Sequence, residues 1–362
     1  MTGNELREMV QDSFGPCPAE IHRGYEVEGK FDLAVATAWW TAKIVADHVQ
    51  ARHKLYFVQD YEACFYPMGD EFILAENSYC YGLHPLTIGR WLSHRLGKRF
   101  GSTARFFDFT ADNDIYHPVN PVPDEQAVCF VFQPEKPRRC PVIGRDALKI
   151  IRSHCPEVTI YTYGSPVEPG FDFEHTHLGI LSTRECNQLY NRCTVGLCLS
   201  SSNPSRIPFE MMAAGLPAVD FHGENTIYDL PEPGVLLAER TPSSVAGAVI
   251  KILNSPDLRA KMRQGGLDFM RKRPAELEFK QCANIIESFA DNVSQPNEPV
   301  SPLYRSPPFH ADLPMPPDSA RAVMPTSTVA AKNPEPPTMT LRERMIDNRI
   351  TRVLKVMWQG HY

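Results

Sequence analysis

Two acids one residue apart, Asp60 and Glu62, follow the apolar run Lys54 to Gln59 in the string Gln59-Asp60-Tyr61-Glu62. A carboxylate beyond a buried strand can take a proton from a hydroxyl, or it can order its own loop through backbone hydrogen bonds. The spacing fits both. A cationic cluster, Gln133-Pro134-Glu135-Lys136-Pro137-Arg138-Arg139, follows a second apolar run, Ala127 to Phe132. Fixed positive charge there suits a phosphate-bearing leaving group, because a guanidinium fork binds phosphate through paired N–H donors. Arg138 is the first candidate, with Lys136 and Arg139 behind it, and a solvated basic turn is the plain alternative. The third cluster is Leu199 to Asp220, where the polar loop Ser201–Ser205 (with Ser202, Asn203 and Pro204) leads into a helix carrying Pro208 in its first turn. Hydroxyls and backbone N–H groups at a helix start attract anions. Glu210, one turn in, can accept from a sugar or ribose hydroxyl. Equally, Ser205 caps the helix and Glu210 complements its dipole.

Gly164, in Tyr163-Gly164-Ser165, would let backbone approach a ligand closely. His175 and His177 lie two apart, and Asp112-Asn113-Asp114 spells D-x-D. No third ligand accompanies the histidines and loop capping accounts for the acids, so no metal site and no cofactor is expected.

These clusters sit at the ends of alternating strand-like and helix-like patches. Phe31 to Thr37, Lys54 to Gln59 and Arg105 to Phe109 read as strands, with a helix through Val49 and helical segments over Glu71 to Leu96, broken near His84-Pro85 and stopped by Gly97. After a Pro-rich hinge, Pro118 to Pro123, the pattern restarts. Strands are expected at 127–132, 158–163 and 194–199, and from Pro217 onward. Helices are expected at 143–154, 183–191, 207–214, 243–254, 256–272 and 275–292. Near-continuous apolar runs alternating with helices imply parallel sheets, hence an α/β fold in two Rossmann-like halves, 1–120 and 121–292.

Composition narrows the class. With 362 residues and 43% hydrophobic content the chain is long enough for two cores. A formal net charge of −6 disfavours general nucleic-acid binding. No apolar run of about 18 residues marks a membrane span, and the N-terminus has no secretory-signal pattern. The ten cysteines form no C-x-x-C pair and read as cytosolic thiols. Twelve prolines between Pro296 and Pro337 mark 293–339 as an extended, largely unstructured linker. Beyond it, 341–358 forms a basic amphipathic pattern suited either to an anionic inner-leaflet surface or partner groove, or to folding back on the body.

The string SRIPFEMMAAGLPAV, from Ser205, resembles the donor-binding segment of retaining glycosyltransferases of family 4, which have the GT-B fold. The second glutamate of that family's E-x7-E motif falls on Glu210, and the first is placed at Asn203, a departure from the pattern. Tyr56 to Leu92, with its V-Q-D-Y-E and F-Y-P-M-G strings, is similar to a narrower group, bacterial rhamnosyltransferases of surface-glycan and polysaccharide assembly. Asp114-Ile115-Tyr116-His117-Pro118 resembles the close of a GT-B N-terminal domain. The resemblance implies a metal-independent hexosyltransferase that takes rhamnose from its dTDP form and passes it to a glycan or lipid-linked acceptor. It also implies diphosphate contact by Arg138 and base contact by the backbone near His177 and Leu178. A GT-B N-terminal domain carries more strands before the segment matched by Phe31 to Trp40, so this half reads as shortened. The competing expectation is a GT-B-like scaffold in a glycan-assembly complex that performs no turnover.

Overall fold

The computed structural model describes residues 3–16, 18–22, 24–119, 126–291 and 300–316. The hinge at 118–123 falls mostly outside them, and the amphipathic segment 341–358 entirely so. The first half opens with α1 (Gly3–Phe14), β1 (Lys30–Ala36), α2 (Trp39–His48) and β2 (Gln50–Val58). It continues with α3 (Asp70–Ser78), β3 (His84–Ile88), α4 (Arg90–Phe100) and β4 (Arg105–Phe107). The second half contains β5 (Ala127–Val131), α5 (Pro141–His154), β6 (Thr159–Tyr163), β7 (Thr176–His177), α6 (Thr183–Arg192) and β8 (Val195–Leu197). Then come α7 (Ile207–Ala213), β9 (Ala218–Phe221), α8 (Glu224–Ile227), β10 (Val235–Ala238), α9 (Pro242–Leu253), α10 (Pro256–Arg271) and α11 (Ala275–Ala290).

All pairings between these strands are parallel. One sheet has the order β1-β2-β3-β4 and the other β10-β9-β8-β5-β6-β7. Parallel strands need crossovers, and helices covering both faces explain why β5 and β9 are buried along their whole length. Helix starts follow local chemistry. Ser182 and Glu185 form a capping box on α6, and the Thr241 hydroxyl accepts the Ser244 N–H at 3.1 Å on α9.

The sequence reading named no counterpart of α1, β7, α8 or β10, and three further elements differ from it. His84–Ile88 is a strand rather than part of a broken helix, because Pro85 cannot continue a helix and the apolar residues after it bury between β2 and β4. Gly101, not Gly97, ends α4, taking φ 65° in the left-handed region. α11, expected to belong to the second half, packs back on the first sheet, where Gln281 Oε1 accepts the Asp108 N–H at 2.9 Å. Its Glu278 accepts the Thr110 hydroxyl at 2.7 Å.

Residues 300–316 lie inside the stretch expected to be an unstructured linker, yet they form a strap on the second half. The backbone N–H groups of Leu303 and Tyr304 both donate to the Ile227 carbonyl at 2.9 Å. Phe309 bonds to β10 and to the residue after it, donating to the Leu237 carbonyl at 2.9 Å and accepting from the Glu239 N–H at 3.0 Å. The prolines suit this arrangement, since an edge segment needs few donors. Tyr304 is buried and its hydroxyl accepts the Leu237 N–H at 3.2 Å. Replacing Tyr304 by Ala should therefore cost about 3 kcal/mol through the cavity it leaves. Urea unfolding of the variant would check this, and an unchanged midpoint would show that the strap carries no stability.

Candidate functional site

In the six-stranded sheet, the chain leaves β5 toward β6 on one side and returns to β8 on the other. Loops following β5 and β8 are thus neighbours at the switch point, where open parallel sheets bind ligands. The contact is direct: the Ser201 N–H and hydroxyl both donate to the Arg138 carbonyl, at 2.9 and 3.1 Å. Across from them stands the carboxyl end of the first sheet. Asp60, two residues beyond β2, accepts the Asn203 N–H at 2.8 Å, the Ser202 hydroxyl at 3.1 Å and the Tyr61 N–H at 2.8 Å. Its second oxygen lies 3.9 Å from Arg138 Nε. Asn203 Nδ2 reaches the Gln59 and Ile88 carbonyls at 3.2 and 3.4 Å. Asp60 is 3% exposed and Asn203 not at all, so this seam is closed.

Arg138 is stacked 4.3 Å over the Phe65 ring, which also belongs to the first half. Lys136 pairs loosely with Glu135 at 4.0 Å, and Gln133 turns the chain by accepting the Lys136 N–H at 3.0 Å. Arg139, expected beside Arg138 on the loop, is instead buried beneath it and donates to the Ser200 hydroxyl at 2.9 Å. A guanidinium fits there because Asp220 supplies the opposite charge.

The serine loop is held from behind by residues that spacing did not single out for a role. Asp220 Oδ1 accepts the Ser200 and Phe221 N–H groups at 3.0 and 2.7 Å. Asn225 Nδ2 donates to the Ser200 and Ser202 carbonyls at 3.0 and 2.6 Å, and Arg240 fixes Asn225 through its Oδ1 at 2.8 Å. The Ser200 hydroxyl closes the loop on the Asn203 carbonyl at 2.8 Å. So the N–H groups of Ser200, Ser201 and Asn203 are all taken. The sequence did carry a signal for Asp220, an acid inside an otherwise apolar strand.

Pro204 and Ser205 are buried, and the cap of the seven-residue α7 is Arg206 rather than Ser205, without a side-chain cap bond. Arg206 pairs through both terminal nitrogens with Glu278 of α11. Glu210 is buried one turn on, close enough to Arg206 to favour its charge. Seven intervening residues before Glu210 lead to Ser202 rather than Asn203, so a serine holds the first position of the paired-glutamate motif.

Gly164, His177 and Leu178 gather on the other flank of β5. Gly164 has φ 97°, and its N–H donates to the Gly179 carbonyl at 2.8 Å. A side chain there would press on Val131, 3.1 Å from the position of Cβ. His177 uses both ring nitrogens, with Thr162 Oγ1 at 2.9 Å and the Ser165 carbonyl at 3.0 Å, while Leu178 N–H donates to the Thr162 carbonyl at 2.8 Å. Among the described residues, no three His, Cys, Asp or Glu side chains are grouped to hold a metal ion.

Glu62 is not brought to the seam. Its oxygens accept the Trp39 N–H at 2.8 Å and the Tyr56 hydroxyl at 3.2 Å, which makes it the N-terminal cap of α2. Asp229 does the same for α4, but across the halves, accepting the Arg90 and Trp91 N–H groups at 2.6 and 3.1 Å.

Two parallel α/β sheets meeting at their carboxyl ends define the GT-B class. Solved structures agree: HepE of Anabaena, determined with UDP-glucose, superposes with TM-score 0.55 at 16% identity over 72% of this chain and 78% of that one. TarM of S. aureus, as a mutant with Fondaparinux, alpha-GlcNAc-glycerol and UDP, gives TM-score 0.52 at 13% identity over 67% of this chain and 52% of that one. More narrowly, residues 19–88 match the WsaF N-terminal domain and residues 126–250 the WsaF C-terminal domain. Each half is thus similar to one WsaF domain. The chain is also 31% identical over 263 residues to the O-antigen biosynthesis protein RfbC of Myxococcus xanthus, covering 68% of this chain. It spans 20% of RfbC.

Burial pushes the carboxyls of Glu62, Asp220 and Asp229 up to about 7. Each holds its proton more tightly folded than unfolded, so the native chain binds more protons between about pH 4 and 7. Their contribution to stability is present at the acid end of that window and is lost as pH rises through it. The melting temperature should be higher at pH 5.5 than at pH 8 in matched buffers. A steady fall on acidification over that range would contradict it.

Proposed function

We propose that this chain is the nucleotide-sugar-dependent part of a glycosyltransferase of surface-glycan assembly, moving a hexose onto a glycan or lipid-linked acceptor. One observation carries the reading: the seam at the sheet switch point joins a carboxylate, Asp60, to a cationic loop, Arg138, and to the Ser202–Asn203 loop. The WsaF domain matches and the O-antigen relative support the glycan context.

In this reading Arg138, backed by Phe65 and assisted by Lys136, holds the donor diphosphate. Charge develops on the diphosphate as the bond from its oxygen to the sugar's anomeric carbon breaks. The acceptor oxygen forms the new bond to that carbon, and its proton passes to the Asp60 carboxylate. Glu62 acts only through α2. Glu210 and the backbone near Gly164 and Leu178 orient the sugar and the base. Rhamnose from dTDP-rhamnose is the donor that the Tyr56–Leu92 resemblance favours. The reaction needs no metal ion, since Arg138 and Lys136 supply the positive charge. No helix among the described residues is long and apolar enough to cross a membrane. Contact with lipid-linked acceptors at the cytoplasmic face would fall to segment 341–358. Serine at the first motif position favours a second reading, a scaffold that binds nucleotide without transferring sugar.

Calorimetric titration with dTDP, UDP and GDP separates these outcomes when followed by a transfer assay. Binding of none of them near millimolar concentration overturns the donor site, and binding without transfer favours the scaffold. Arg138→Ala should weaken nucleoside-diphosphate binding about tenfold, within the range for a charge-assisted bond, and leave nucleoside binding unchanged. Equal loss for both would move Arg138 away from the phosphates.

A further inference from the structure

The Ser202–Asn203 loop and Arg138 present the donors a phosphate oxygen needs, but an anion already sits among them. The Asp60 carboxylate takes the Asn203 N–H at 2.8 Å and the Ser202 hydroxyl at 3.1 Å and faces Arg138 at 3.9 Å. It comes from the opposite half of the molecule and is almost fully buried. We propose that Asp60 is a built-in occupant of this anion cradle, and that a nucleoside diphosphate binds by displacing it. The proposal rests on the nucleotide-sugar reading above and adds to it the regulation of the same site.

Three features support displacement. The Asp60–Arg138 pair is a charge contact at 3.9 Å, longer than a hydrogen bond, so no direct hydrogen bond between the two has to break. Its stack on Phe65 offers a surface along which it can turn to a new anion. A diphosphate, with more charge than one carboxylate and oxygens spaced for the guanidinium fork, competes well for these donors. The loop itself stays in place during the exchange, because Asp220, Asn225 and the Arg138 carbonyl hold it from its own half. What must move is Asp60, and with it the contacts of Asn203 Nδ2 to the Gln59 and Ile88 carbonyls. Nucleotide binding is thereby coupled to opening of the seam. The displaced carboxylate is left beside the bound diphosphate, where an acceptor hydroxyl would arrive.

The test is titration of the full chain and of Asp60→Asn with dTDP, UDP and inorganic pyrophosphate. Loss of the competing charge should tighten all three about tenfold in the variant, while thymidine and uridine bind as before. Equal or weaker binding by a folded variant overturns displacement. If Asp60→Asn does not fold, hydrogen exchange in the unaltered chain decides. The Tyr61 amide, which donates to Asp60 at 2.8 Å, should exchange faster when pyrophosphate saturates the protein. Unchanged protection at saturation overturns the proposal. Failure of both proteins to bind any of the three ligands would remove the nucleotide reading as well. Binding without tightening in the variant removes only the displacement.

Discussion

The two halves of this molecule are joined by carboxylates of one half that satisfy donors of the other. Asp229 is the clearest case. The first N–H groups of α4 have no partner within their own helix, and a buried helix start left so would be costly. Asp229, from the second half, accepts two of them. Gly89 makes the approach possible: it has φ 84°, and a Cβ there would lie 2.6 Å from Phe109 and 2.9 Å from Asp229. Asp60 on the Asn203 N–H and Glu278 on Arg206 repeat the arrangement in the same seam. A buried carboxylate is tolerable only when its oxygens are met, so each contact fixes distance and orientation together. Phe109 stacked on Phe209 at 4.6 Å adds an apolar contact, but an apolar contact alone would allow sliding.

That constraint explains the shape of the site. A loop rich in serine and asparagine has many donors and acceptors, and in isolation it would sample many conformations. Here Asp220, Arg139 and Asn225 form a polar layer beneath it and hold an amide, a hydroxyl and a carbonyl of the loop, with Arg240 fixing Asn225. Removing one member of such a layer would leave others buried and unmet, so it behaves as a unit. The outcome is a rigid rim on the second half facing a carboxylate on the first.

Much of this was legible in the sequence, and the boundary of legibility has a physical cause. AVCFVF reads as a strand because a parallel strand covered on both faces must be apolar throughout, and β5 is such a strand. The switch-point loops were readable because they follow those strands. His84–Ile88 was missed because five residues carry too little pattern to outweigh the helical stretches flanking them. Arg139 and Glu62 show the other limit. Spacing places a charged residue on a loop, but whether it faces a ligand or the interior depends on partners far away in sequence, Ser200 and Asp220 for one, Trp39 for the other. The strap at 300–316 illustrates the same limit in reverse. A proline-rich composition predicts a stretch without helix, and residues 300–316 form none, but Tyr304 and Phe309 tie them to the second half.

Packing α11 on the first sheet completes the constraint from the far side. The helix follows α10 of the second half in the chain, yet Glu278, Gln281 and Ser288 meet Thr110, Asp108 and Arg105 of the first. Glu278 at the same time holds Arg206 at the start of α7, so one carboxylate links both halves and the helix that carries Glu210. The molecule is thus tied at several points, among them Asp229 on α4, Asp60 on the Asn203 loop, and the contacts of α11. The Asp60 and α11 ties differ in kind. At α11 a carboxylate meets a fork of guanidinium N–H groups directly, and no small anion competes for it without entering a fully covered space. At Asp60 the carboxylate sits on a loop amide and a hydroxyl, with a cation 3.9 Å away, groups that serve any oxyanion equally well. Of the two, only the Asp60 seam is built from interactions that a ligand can replace in kind, and α11 is the tie that persists when it is replaced.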